Sequence, residues 1–101
     1  MANWKYKLKF SRALRNAIHD EDSFAVLDAL VACFTEVNQL VPEYYDEDDL
    51  AEDLMDIDSI RDDLEEPDHY GQDDEDIEDN INYQLSKLYD ICDAYRIWIE
   101  I

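Results

Sequence analysis

"HDEDSFAVLDALVACFTEVNQLVP", residues 19–42, is the stretch on which the fold turns. Phe24, Leu27, Leu30, Val31, Phe34, Val37 and Val41 recur every three or four positions, the spacing of one face of an α-helix. Asp20, Glu21 and Asp22 stand where the helix dipole favours negative charge. Pro42 lacks the amide hydrogen that would extend the ladder. Caps and proline together predict a helix over 23–40.

The flanks follow from the same periodicity. Towards the C-terminus, "DEDDLAEDLMDIDSIRDDL" (46–64) places Leu50, Leu54, Ile57, Arg61 and Leu64 on one helical face, with Ile60 at its edge. Asp49, Glu52, Asp53, Asp56 and Asp63 gather on another face, and Met55 falls among acids. Pro67 and Gly71 break the chain. Ile77, Ile81, Leu85, Leu88, Cys92 and Tyr95 then form a long apolar stripe, read as helix to about Ile97. Towards the N-terminus, residues 5–18 read mostly as helix. The alternation in "WKYKLKF" leaves a short N-terminal strand as the other reading.

One glycine and two prolines in 101 residues leave little turn chemistry, which favours a few helices over many strands. The expectation is an all-α protein: one domain over 1–101, a compact bundle of about four helices with a highly acidic surface. Cys33 and Cys92 lie in apolar helical patterns, which predicts buried, reduced thiols and a cytoplasmic protein. No signal peptide and no membrane-spanning run is read from the sequence.

Charge is the outlier. Twenty-eight acids against eight bases give a net charge of −20. Such a field repels nucleic acid and anionic membranes and attracts basic surfaces. Residues 1–19 hold Lys5, Lys7, Lys9, Arg12 and Arg15 and no acid; their expected role is to pair with the acidic helices of their own chain.

No catalytic or metal site is expected. An EF-hand loop needs alternating oxygen ligands and a glycine at its turn, which "DEDDLAEDLMDI" lacks and "DHYGQDDEDIED" misplaces. Glu66 and His69 have the Glu-x-x-His spacing, but Pro67 lies between them and no second such pair exists. There is no phosphate-cradling loop and no nucleophile motif. The reading is therefore a non-enzyme with no cofactor.

Residues 43–79 remain, with twenty acids in thirty-seven positions and Arg61 as the one base. The plain reading is a solvated face. The sharper one starts from helix geometry: side chains three or four residues apart sit about 5–6 Å from each other, comparable to phosphate spacing in a duplex. A helical row of carboxylates therefore offers a DNA-binding groove the charge pattern it expects. Asp46, Asp48, Asp49, Glu52, Asp53, Asp56, Asp62 and Asp63 are the candidate phosphate surrogates, extended by Asp73, Asp74, Asp76 and Asp79. Tyr44 and Tyr45 read as core and rim aromatics that could also touch the target.

"NQLVPEYYDED" followed by "YQLSKLYDICDAY" resembles the Ocr family of phage anti-restriction proteins. The matching positions are Val41, Pro42, Tyr44, Tyr45, Tyr83, Gln84 and Leu85, within a likeness covering about residues 23–95. The resemblance implies an all-α homodimer, made by a phage, whose carboxylates mimic bent B-form DNA. It further implies a basic DNA-binding host protein as partner, a type I restriction–modification enzyme; a CRISPR effector is the next expectation. The chain departs from the family in its more acidic "DEDDLAEDLM" and in its apolar end, "IWIEI". The rival expectation is an immunity or antitoxin-like protein that plugs a basic toxin such as a nuclease, with an aromatic pair as the hot spot.

Overall fold

A computed structural model describes residues 4–65 and 74–100. The element order is β1 (Tyr6–Lys7), α1 (Ser11–His19), α2 (Ser23–Leu40), α3 (Glu47–Glu65), α4 (Asp74–Ala94) and β2 (Ile97–Trp98). The protein is all-α apart from one parallel strand pair, in which Tyr6 faces Ile97 and Lys7 faces Trp98.

Helix α2 is the centre of the bundle. The Asp22 side chain accepts from the Ala25 amide at 3.2 Å and fixes its start. Its burial is wider than the single predicted stripe: Val26, Ala29, Cys33 and Glu36 are buried along with Leu27, Leu30, Phe34 and Val37, while Phe24 is exposed. The reason is that α1, α3 and α4 all pack against α2, so more than one side of it meets a neighbour. By length and composition α2 would also pass as a membrane span, which the sequence reading did not anticipate. Here the other three helices all pack against it.

With a single glycine in the chain, helix endings fall to other residues. At the end of α1 the Glu21 amide donates to the Ile18 carbonyl at 3.1 Å and the Asp22 amide to the Ala17 carbonyl at 3.2 Å. This is a Schellman closure, and Glu21 occupies its left-handed position with φ 55°. After α4 Arg96 is also left-handed, with φ 59°, and its amide donates to the Asp93 carbonyl at 3.4 Å. The helix read to Ile97 therefore stops at Ala94, and the chain turns into β2.

The N-terminus also departs from the helix expected over 5–18. Lys5 and Leu8 amides donate to the Arg96 and Trp98 carbonyls at 2.8 and 2.9 Å, which draws residues 5–8 into an extended segment. Helix α1 starts only at Ser11. The turn before it is held by Glu36 of α2, whose buried carboxylate accepts from the Lys9 and Phe10 amides at 2.9 and 3.1 Å. The strand reading of "WKYKLKF" was the correct one, and a contact with the far end of the chain decides it.

A net charge of −20 opposes compaction. The denaturation midpoint is expected to rise as NaCl goes from about 0.02 to about 0.5 M, because the Debye length shrinks below the spacing of most exposed charges. Urea titrations at several salt concentrations check this; a midpoint that falls with salt contradicts it.

Candidate functional site

Helix α3 is built from its cap upward. The Asp46 carboxylate accepts from the Asp49 amide at 2.9 Å, and its carbonyl accepts from the Leu50 amide at 3.0 Å. Glu47, Asp48 and Asp49 fill the first turn, where the helix dipole stabilises them. Beyond the cap, Glu52, Asp56, Asp58, Asp62 and Glu65 are exposed and Asp63 is half-buried. On α4, Glu78 and Asp79 are exposed. Asp73 lies outside the described residues, as do the side chains of Asp74 and Asp76.

Asp53 must be removed from the set of surface charges. It is 1% exposed and sits with Ile57 and Ile60 on the buried face of α3. Its Oδ2 accepts from the Tyr45 hydroxyl at 2.6 Å, and its Oδ1 pairs with the Lys87 ammonium of α4. The buried face is thus turned towards Asp53 and away from the periodicity optimum, leaving Leu50, Leu54 and Leu64 half-buried and Met55 71% exposed. Two hydrogen-bonding partners make a carboxylate acceptable in the interior. No helical period can announce them.

The tyrosines divide. Tyr45 is 4% exposed, stacked on Phe34 at 5.9 Å between ring centroids, and its carbonyl accepts from Asn38 Nδ2 at 2.7 Å. It belongs to the core and is closed to a partner. Burial first, and then the hydrogen bond to Asp53, push its hydroxyl pKa well above the ordinary value. Tyr44 is 61% exposed and stacks on Tyr95 at 4.6 Å, so it is the rim aromatic and Tyr45 the core one, the reverse of the order expected. Tyr83, named in the sequence only as a matching position of the resemblance, is exposed on α4 and lines the groove against α3. The signal lay in its position two residues after Ile81, off the apolar stripe.

The bases are distributed unevenly. Arg61 Nη1 meets Asp28 at 2.6 Å and its Nε lies 3.8 Å from Glu65. Lys87 is committed to Asp53, and that hydrogen bond holds its pKa above the usual lysine range. Among the described residues the N-terminal bases form no ion pair with α3 or α4, contrary to the expectation. Among the described residues Arg15 pairs with Glu100 at 3.8 Å, and Lys7 lies 5.1 Å from the Trp98 ring centroid. The C-terminal strand, brought alongside by β-pairing, reaches them first.

Between α3 and α4 runs a groove of about 300 Å³ lined by Asp56, Ser59, Ile60, Asp63, Asn80, Tyr83 and Gln84. Among the described residues no basic side chain lines it. Among the described residues no group of three or more His, Cys, Asp or Glu is placed to hold a metal ion. What the α3–α4 side can do chemically is accept hydrogen bonds and attract cations.

No family model, no curated protein and no solved structure matches this chain.

Proposed function

We propose that this protein is a DNA mimic that inhibits a host defence enzyme by occupying its DNA-binding cleft, with type I restriction–modification as the first target class. The observation that carries the proposal is the ladder on α3. Glu47, Asp48, Asp49, Glu52, Asp56, Asp58, Asp62, Asp63 and Glu65 stand outside the core on a 19-residue helix. At about 1.5 Å per residue the helix is about 28 Å long, so these nine carboxylates supply one charge per ~3 Å. One strand of a duplex supplies a phosphate per ~3.4 Å of axis.

Rigidity is the second support. Asp46 caps the helix, and Asp53 ties its middle to Tyr45 and Lys87. The ordering cost of the ladder is met on folding rather than on binding, which favours affinity. Lysine and arginine of a DNA-binding cleft would pair with these carboxylates as they pair with phosphate, in a competitive, stoichiometric and non-catalytic inhibition.

The test is capture from host lysate with and without excess duplex DNA. A partner displaced by DNA is expected, and a partner indifferent to DNA defeats the proposal. Changing Asp48, Asp49, Glu52, Asp56, Asp62 and Asp63 together to their amides is expected to abolish capture. Each change alone should cost about 1 kcal/mol or less, because exposed pairs are weak individually. A single amide that abolishes binding would point instead to one dominant contact, as in a toxin plug.

A further inference from the structure

The groove between α3 and α4 holds a feature that a solvated acidic face does not require. Gln84 lines it and is 3% exposed, yet its Oε1 has no hydrogen-bond partner among the described residues. Buried acceptors are rarely left unmatched, and one that is calls for an explanation in terms of something that binds. Around it stand two carboxylates without a basic partner among the described residues, Asp56 exposed and Asp63 half-buried. At the rim the Tyr83 ring is 64% exposed and offers a π face.

We infer that this groove is a socket for a single arginine side chain of the basic partner protein. The inference rests on the reading of α3 as a surface for a DNA-binding protein and specifies the contact by which that partner is recognised. A guanidinium has five donors in a plane and no acceptor. It can donate to both carboxylates and to an amide oxygen while its face lies on an aromatic ring, which a lysine ammonium cannot do together. Asp56 and Asp63 are seven residues apart on α3, about 10 Å along the axis. That separation is too wide for one divalent ion, whose oxygen ligands lie within about 2.6 Å. A planar fork with a hydrogen bond at each end spans more of it. Tyr83 and Gln84 are neighbours on α4, and both residues line the groove.

The experiment titrates the whole protein with hexa-arginine and, separately, hexa-lysine at about 0.15 M salt, a Debye length of about 8 Å. Affinity and the Gln84 side-chain amide resonances are followed together. Hexa-arginine is expected to bind about tenfold more tightly than hexa-lysine, the size of one favourable cation–π or charged hydrogen-bond contact, and to shift the Gln84 amide signals. Tyr83→Ala, at an exposed position, and Gln84→Leu should each bring the two peptides to within about twofold of each other while leaving hexa-lysine binding unchanged. Gln84→Leu removes the orphan oxygen and should unfold no earlier than the parent, so its effect is not one of folding. Equal affinity for the two peptides, an unmoved Gln84 resonance or unaltered discrimination in both variants overturns the socket. The DNA-competition capture distinguishes the two failures. A DNA-displaced partner that binds Tyr83→Ala and Gln84→Leu as well as the parent sinks the socket and leaves mimicry standing. Arginine selectivity without any DNA-displaced partner does the reverse.

Discussion

Raising the pH from neutrality to about 12 is expected to unfold this protein, and the loss should begin near pH 9, where the thiols of the unfolded chain start to ionise. Cys33 and Cys92 are 0 and 1% exposed, and burial pushes both pKa values from 9.0 up to about 12. A folded-state pKa above the unfolded one means that the native state holds the proton more tightly. The contribution is complete below pH 9 and is lost as pH climbs towards the folded value. Three pKa units at about 1.4 kcal/mol each come to roughly 4 kcal/mol per thiol, and two thiols approach the whole stability of a small domain.

Tyr45 adds to the loss in the same direction, since burial and its bond to Asp53 also raise its pKa. Lys87 follows, because deprotonation ends its pairing with Asp53. Urea denaturation at intervals from pH 7 to 11 checks the expectation. The stability of the parent should fall by more than 1 kcal/mol per pH unit once above about pH 9.5, the slope for one or more protons released on unfolding. The double change Cys33→Ala with Cys92→Ala should be less stable at neutrality but show a clearly shallower fall. Parallel slopes for the two proteins would show that the thiols are not the source. For the same reason both thiols should resist alkylation in the native state at neutral pH and react on unfolding, since only the thiolate is nucleophilic.

Asp53→Ala is the second large effect, expected to destabilise by about 2–4 kcal/mol. Removing one partner of a buried pair costs about 3–5 kcal/mol when both charges are enclosed. Lys87 is 37% exposed and can turn to water, which lowers that figure. The Tyr45 hydroxyl has no such escape, and an orphaned buried donor costs about 1–3 kcal/mol by itself. Asp56→Ala, three residues on and exposed, serves as the control and should stay within about 0.5 kcal/mol of the parent. A double-mutant cycle of Asp53→Asn with Lys87→Met should show a coupling above about 0.5 kcal/mol. Equal costs for Asp53 and Asp56 would return Asp53 to the surface ladder.

The two expectations mark a boundary between local and distant causes. The span of α2 was legible as 23–40, because its stop (Pro42), its cap (Asp22) and its apolar repeat all lie within one contiguous stretch. Helix α3 was legible as lying in the stretch 46–64 from its apolar repeat and the break at Pro67, and so was the all-α class, from the dearth of glycine and proline. The charge asymmetry between residues 1–19 and 43–79 is composition and needs no structure.

Other features depend on partners far along the chain. Residues 5–8 are extended because carbonyls of Arg96 and Trp98 accept their amides. Asp53 differs from Asp49 or Asp56 only because Lys87, thirty-four residues away, and Tyr45 meet it inside the bundle. The orphan oxygen of Gln84 becomes notable only once α3 lies across it. Local periodicity determined which residues are helical and how much charge they carry. Tertiary packing alone decided which carboxylate is internal, which tyrosine is closed and where a groove opens, because burial and hydrogen bonding depend on distance in space rather than along the chain.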